Sequence, residues 1–230
     1  MWYAKPLLGY LRDSTEAISN ATEIKNYLTS LGWSLNAICG MLGNLGSESG
    51  YNPWRWENDW KPEVGALAIL SKQEAYTYEG TDHGYGLYAF TPANKYCNTT
   101  SETYTGYAPN FSDEAGNPSD GQAQTYWVHV HPDQFYPAYY SWYPTWTDFS
   151  NYKTSTENCQ TLADIWMCNW EKPAYQNALN SRADRMNEAQ YWWDYFEGGP
   201  TPPPPPPTPP KPLRLKKFKW WMYMSRPMPF

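Results

Sequence analysis

The most informative part of the chain is Gly43-Asn44-Leu45-Gly46-Ser47-Glu48-Ser49-Gly50-Tyr51-Asn52-Pro53. An apolar stripe at helical spacing leads into it, made of Leu35, Ile38, Cys39, Leu42 and Leu45. Ser34 is a typical N-cap for such a helix, and Gly50 and Pro53 are typical of a helix end. The pattern therefore predicts a helix that starts at Ser34 and ends in a sharp turn just after Glu48.

The carboxyl group of Glu48 is expected to lie at the last turn of this helix. Met41 and Leu45 precede Glu48 at helical spacing, so the three side chains share a face that points toward the core. Partial burial and the helix dipole both raise the pKa of a carboxyl at this position. A carboxylic acid that stays protonated near neutral pH is what glycoside cleavage needs. Glu48 is therefore a candidate catalytic acid; the alternative is a solvated acid at a helix end.

Further helices are expected on both sides of this one. Asn20 and Glu23 form a capping-box pattern before the stripe Ile24, Tyr27, Leu28 and Leu31, and Gly32 is a typical C′ residue. Residues 51–150 show little helical periodicity and predict loops, short strands and short helices. Two later helices have the predicted apolar faces Leu162, Ile165, Trp166, Asn169 and Leu179, Ala183, Met186, Gln190, Trp193. Together these patterns predict a mostly helical α+β domain over residues 1–197.

Two different segments follow this predicted domain. Residues 198–212 are rich in proline, which favours a semi-rigid polyproline II linker. Residues 213–230 are basic and aromatic. Residues 211–230 contain six basic residues and no acid, so the net charge of -6 leaves -12 on the rest of the chain. An acidic body with a basic tail argues against nucleic-acid binding and favours a docking peptide.

The composition narrows the class of protein further. The chain has 14 Trp and 21 Tyr, which argues for a folded protein and suits stacking on sugar rings as well as an aromatic core. No run of 18 apolar residues is present, so no membrane span is expected. Of the four cysteines, Cys39 is expected to be a buried thiol, and Cys159 and Cys168 would pair only in an oxidising compartment.

The motifs resemble those of the phage tail lysozyme family, which is itself similar to goose-type lysozymes and lytic transglycosylases. Glu48-Ser49-Gly50-Tyr51-Asn52-Pro53 resembles the family's catalytic turn. Gly84-Tyr85-Gly86-Leu87-Tyr88-Ala89-Phe90-Thr91-Pro92 resembles a second family motif, in which Gln and Trp are usual where this chain has Ala89 and Phe90. The stretch Trp170-Glu171-Lys172-Pro173 resembles part of the closing helical region.

The resemblance implies a lysozyme-like fold with Glu48 as the acid that cleaves the β-1,4 bond between N-acetylmuramic acid and N-acetylglucosamine. For a second carboxylate we prefer Asp82 to Asp59; each has turn capping as its structural alternative. Candidate substrate-binding residues are Asn44, Trp54, Trp56, Tyr85, Tyr88 and Phe90. His129 and His131 would share one face of a strand as a metal pair, but no third ligand is evident, so we predict neither a metal nor a cofactor.

Three functions fit these observations. The first is a muramidase carried in the virion on a phage tail, which opens the host cell wall during infection and docks to other tail proteins through residues 213–230. The second is a free phage endolysin with the same chemistry. The third is a catalytically inactive carbohydrate-binding or structural tail protein. The sequence leaves open whether an active enzyme would be a hydrolase or a lytic transglycosylase.

Overall fold

The computed structural model describes residues 2–4, 9–56, 83–91, 120–136, 148–173 and 175–198. Within these ranges the chain forms helices α1 to α6: Thr15–Ser30, Leu35–Glu48, Asp120–Val130, Phe149–Thr154, Cys159–Trp166 and Tyr175–Glu197. A 3-10 turn covers Pro132–Gln134, and a π-helical segment, Met167–Glu171, continues α5. The expectation of a mostly helical domain is confirmed. Residues 199–230, which hold the predicted tail and nearly all of the linker, lie outside the described residues.

The β part of the expected α+β fold is limited, in the described ranges, to two isolated bridges. Trp56 pairs with Tyr85, and Tyr85 pairs with Phe90 across a tight turn. Gln124 of α3 accepts a hydrogen bond from the Leu87 amide at 2.7 Å and donates one to the Pro53 carbonyl at 2.8 Å. This buried glutamine therefore fixes both the tight turn and the segment after α2 onto α3.

Helix α1 begins earlier than the sequence pattern predicts. Its N-cap is Ser14, whose hydroxyl accepts a hydrogen bond from the Ala17 amide at 3.2 Å. Asn20 lies inside the helix, fully buried, and its side-chain amide donates to the carbonyls of Tyr3 and Tyr51 at 2.7 and 2.8 Å. The prediction of an N-cap at Asn20 is wrong because these long-range bonds, and not capping, occupy its side chain.

Helix α2 lies at the centre of the domain and packs against α5 and α6. Its N-cap Ser34 and its end at Glu48 confirm the sequence prediction. Two glycines allow the close packing: a Cβ at Gly40 would lie 2.7 Å from Cβ of Leu162, and one at Gly43 would lie 2.8 Å from Cβ of Ala189. Because glycine has no side chain, α6 runs directly beside the last turns of α2.

The buried face of α6 differs from the predicted one. Leu179 is 42% exposed and Ala183 is also exposed. The residues that are buried along this helix are Ala178, Arg185, Ala189, Tyr191 and Trp192. The predicted face is wrong because a charged residue occupies a buried position, which interrupts the apolar pattern and shifts its apparent phase.

Candidate active site

Glu48 ends α2 at the wall of an open cavity of about 430 Å³. Its side chain is 20% exposed, so the carboxyl is accessible but largely covered by protein. The other residues around this cavity are mostly polar: Ser47, Arg55, Pro173, Asn177, Asn180, Ser181, Asp184 and Arg185. A polar cavity with two carboxyl groups, the partly buried Glu48 and the exposed Asp184, suits a ligand rich in hydroxyl and amide groups.

Arg185 connects Glu48 to the interior of the domain. The guanidinium forms an ion pair with Glu48, and it donates to the side-chain oxygens of Asn44 at 2.7 Å and Ser181 at 3.1 Å. Arg185 is only 5% exposed. Asn44 donates in turn to the Ala163 carbonyl of α5 at 2.9 Å. Three helices thus hold one cation against the Glu48 carboxyl.

A second carboxyl, that of Glu171, lies close enough to Glu48 for the two charges to repel. Glu171 ends the π-helical segment, and its Oε1 accepts a hydrogen bond from the Trp166 indole at 2.9 Å. It borders a second cavity of about 190 Å³, together with Tyr88, Ala89, Phe90, Thr91, Gln134, Tyr136, Trp170 and Lys172. Glu171 therefore borders a cavity whose lining combines aromatic and polar side chains.

Burial raises the pKa of Glu171 to about 8, and the negative charge of Glu48 acts in the same direction. Arg185, the Trp166 indole and Lys172 oppose this shift. The two carboxyls therefore lie in unlike electrostatic surroundings, because Glu48 is paired with a cation while Glu171 contacts the neutral Trp166 indole. Neighbouring carboxyl groups with such different environments are typical of sites for general acid-base chemistry.

Comparison with known proteins gives a family and a relative. The family model for phage tail lysozymes matches residues 19–196, most of the chain and all of α2 to α5. The chain belongs to the phage tail lysozyme family. It is also 29% identical over 207 residues to Morphogenesis protein 1 of Bacillus phage B103. That match covers 86% of this chain and 44% of the relative, so the chain spans less than half the length of the relative.

The residues predicted as the second carboxylate of this family member, Asp59 and Asp82, lie outside the described residues. Glu171 was not among the sequence candidates, although the stretch Trp170-Glu171-Lys172-Pro173 was part of the family resemblance. Pro173 could have drawn attention to Glu171, because a proline ends a helix and this proline follows the glutamate closely. The π-helical turn that carries Glu171 to the Glu48 side has no comparable signature in the sequence.

The predicted substrate-binding residues fall into two groups. Asn44, Trp54, Trp56 and Tyr85 are buried and border neither of the two cavities; Asn44 instead supports Arg185 from behind. Tyr88 and Phe90 are also buried, but they border the cavity at Glu171. Of the predicted set, therefore, only Tyr88 and Phe90 border a described cavity, and a role in sugar binding stays a prediction for every member.

The two histidines considered as a metal pair lie at the end of α3 and not on a strand. The His129 Nδ1 accepts a hydrogen bond from the Trp33 indole at 3.0 Å, and the His131 ring stacks on Trp127 with a centroid distance of 3.8 Å. The strand interpretation of His129 and His131 is wrong, because a continuous helix reaches Val130. Across the described ranges, no group of three or more His, Cys, Asp or Glu side chains is arranged to hold a metal ion.

The three described cysteines, Cys39, Cys159 and Cys168, are buried free thiols. Burial raises the pKa of each thiol, which suppresses the nucleophilic thiolate. The expectation that Cys39 is a buried thiol is confirmed. In the part of the chain that the structure describes, no helix is long and apolar enough to cross a membrane.

Proposed function

We propose that this member of the phage tail lysozyme family is a peptidoglycan muramidase in which the Glu48 carboxyl is catalytic. The observation that carries the proposal is the pair of neighbouring carboxyl groups in unlike surroundings, Glu48 paired with Arg185 at a polar cavity and Glu171 beside the Trp166 indole. Cleavage of a glycosidic bond needs one carboxyl that donates a proton and one that is negatively charged. Glu48 and Glu171, which border the two described cavities, are the carboxyl groups that we propose for these roles.

The surroundings of the site fit a glycan strand. The cavity at Glu48 offers amide and hydroxyl side chains from α6, including Asn177, Asn180 and Ser181, as hydrogen-bonding partners. The cavity at Glu171 offers aromatic side chains, including Tyr136 and Trp170, which suit the apolar faces of sugar rings. We assign the β-1,4 bond from N-acetylmuramic acid to N-acetylglucosamine as the scissile bond, on the basis of the family.

The protein is further proposed to act as part of the virion, on a phage tail that opens the host wall during infection. The support is the family and the relative described as a phage morphogenesis protein. Residues 213–230, which are basic and aromatic, are proposed to dock onto other tail proteins. Removal of residues 200–230 should then abolish incorporation into particles; if it abolishes binding to wall or membrane instead, the free endolysin is the correct alternative.

The chemistry is tested by digestion of purified peptidoglycan with the full chain, beside Glu48→Gln and the control Glu157→Gln. Glu157 is exposed and borders neither cavity. Mass spectrometry should show new reducing muramic acid ends for the wild type and the control, and none for Glu48→Gln. Anhydromuramic ends would assign the chain to the lytic transglycosylases. Intact glycan on several wall types would contradict an enzyme and favour a binding or structural protein.

A further inference from the structure

The turn that follows Glu48 has a strained backbone. Gly50 and Tyr51 both have left-handed backbone angles, with φ of 53° and 59°. A bulky aromatic residue rarely adopts this region, because its Cβ crowds the backbone there, so surrounding contacts must hold Tyr51 in place. The Tyr51 side chain is 1% exposed and borders neither described cavity. Its contacts are therefore with the interior of the domain and not with a ligand.

Three polar groups surround the hydroxyl of Tyr51. It donates a hydrogen bond to Oε1 of Glu188 on α6 at 2.6 Å and accepts one from the Trp192 indole at 2.6 Å. The carbonyl oxygen of Leu42 on α2 lies 3.2 Å from the same hydroxyl. Arg12 donates to Oε2 of Glu188 at 2.9 Å, which keeps a cation beside that carboxyl. Tyr51 thus reaches back to α2 and across to α6.

The residues between Glu48 and Tyr51 connect this contact to the last turn of α2. The amides of Ser49 and Gly50 both donate to the Leu45 carbonyl at 2.9 Å. The Ser49 hydroxyl accepts a hydrogen bond from the Tyr51 amide at 3.1 Å. Helix ends fray unless other groups hold them, because the last turn lacks further bonds along the helix. Glu48 consequently lies between the bonds to Leu45 before it and those of Tyr51 after it.

Helix α6 contacts this end of α2 at two places that are one turn apart. Arg185 forms the ion pair with Glu48, and Glu188, three residues later, accepts the hydrogen bond from Tyr51. Residues at this spacing lie on the same face of a helix. The Glu48 carboxyl and the Tyr51 hydroxyl are therefore held against one face of α6.

We propose that Tyr51 is a positioning residue, which holds the end of α2 on α6 so that the Glu48 carboxyl keeps its place at the cavity. The inference rests on the proposed muramidase function and deepens it, because Tyr51 acts through Glu48 without touching the glycan. A misplacement of about 1 Å in a catalytic group can cost about 100-fold in rate. Loss of the Tyr51 hydroxyl should accordingly lower kcat and leave KM unchanged.

The test compares Tyr51→Phe with the matched control Tyr152→Phe in the full chain. The Tyr152 hydroxyl is also fully buried, and it donates to the carbonyls of Ala37 on α2 and Leu162 on α5, at 3.1 and 3.3 Å. Tyr152 borders neither described cavity, and Ala37 lies in the first turn of α2. Each variant thus removes one buried hydroxyl that contacts α2, but only Tyr51 follows Glu48.

The kinetic readout uses soluble glycan strands released from peptidoglycan. Tyr51→Phe should lose at least about 10-fold in kcat, with KM within about twofold of the wild type. Tyr152→Phe should keep kcat and KM within about twofold, because it leaves the end of α2 unchanged. Wild-type kcat in a folded Tyr51→Phe, or an equal loss of kcat in the control, would overturn the proposal.

Glu188→Gln provides a second variant should Tyr51→Phe fail to fold. It keeps the shape of the acceptor and removes its charge, and charge-assisted hydrogen bonds are about twice as strong as neutral ones. We expect a loss of at least about threefold in kcat, again without a change in KM. Wild-type kcat in Glu188→Gln would count against the positioning role.

A further measurement does not depend on activity. Hydrogen exchange of the Ser49 and Gly50 amides, relative to the Leu42 amide, reports local opening of the last turn of α2. This ratio should rise at least about 10-fold in Tyr51→Phe and stay within about threefold in Tyr152→Phe. An unchanged ratio in Tyr51→Phe would refute the positioning role. A wild type that cleaves no glycan, together with the raised ratio in Tyr51→Phe, would refute the muramidase function alone.

Discussion

Replacement of Arg185 by Met removes the cation that the domain holds against Glu48. Arg185 is 5% exposed and contacts Glu48, Asn44 and Ser181. Removing one partner of a buried ion pair costs about 3–5 kcal/mol, because the other charge stays buried without a partner. The Glu48 side chain is 20% exposed, so water from the cavity offsets part of this loss. We expect Arg185→Met to lower the free energy of unfolding by about 3 kcal/mol, at the lower end of that range.

The assay is urea unfolding of the full chain at neutral pH, followed by circular dichroism. The control Asn187→Ala changes an exposed residue of the same helix and should alter the free energy of unfolding by less than about 0.5 kcal/mol. In a double-mutant cycle with Glu48→Gln, the cost of Arg185→Met should fall by at least about 1.5 kcal/mol, because no negative charge is left unpaired. A cost under about 1 kcal/mol for Arg185→Met, or strict additivity with Glu48→Gln, would refute the role assigned to this ion pair.

Three further predictions concern the same region. Because the pKa of Glu171 is raised, the folded protein keeps a proton that the unfolded chain has already released. The contribution of protonated Glu171 to the free energy of unfolding is therefore complete at acidic pH and is lost as pH rises toward 8. The wild type should therefore lose stability relative to Glu171→Gln by about 1.4 kcal/mol per pH unit between roughly pH 5 and 8 in unfolding titrations; parallel pH profiles would contradict this. Trp166→Phe removes a donor that favours the charged form of Glu171, so its ¹³C-carboxyl titration should move to still higher pH; an unchanged or lower midpoint would count against that hydrogen bond. Gly43→Ala places a methyl group against the Arg185 carbonyl oxygen and 2.8 Å from Cβ of Ala189. We expect it to lower the free energy of unfolding by about 1–3 kcal/mol in thermal unfolding and to reduce activity as well. An unchanged stability would show that α2 and α6 can separate.

The sequence was sufficient to place Glu48 at the end of a helix, because the signals for that position are local. A cap at Ser34, an apolar stripe and a helix end after Glu48 all lie within one short segment, and the structure has the helix with these bounds. The same kind of reasoning failed for Asn20, which has the chemistry of an N-cap but makes its bonds to residues far along the chain. Local patterns do not distinguish these two uses of an asparagine.

Arg185 and Glu171 were missed for a different reason. Pattern analysis assigns charged residues to the solvent side of a helix, so Arg185 was not among the predicted buried residues and the face of α6 was placed in the wrong phase. Its burial depends on Asn44 and Glu48, which lie more than 130 positions earlier in the chain. Glu171 depends in addition on a π-helical turn that has no sequence period of its own. Both residues become visible only when the contacts between helices are known.

The carboxyl group of Glu48 is proposed to make this chain a glycan-cleaving enzyme. The most direct test is kcat/KM for the release of reducing ends from peptidoglycan by the wild type, Glu48→Gln and the control Glu157→Gln, each shown to be folded by its urea midpoint. We expect a loss of at least about 100-fold in Glu48→Gln, in the range of a missing catalytic carboxyl, and wild-type rates for the control. A folded Glu48→Gln that releases reducing ends within twofold of the wild-type rate would contradict it.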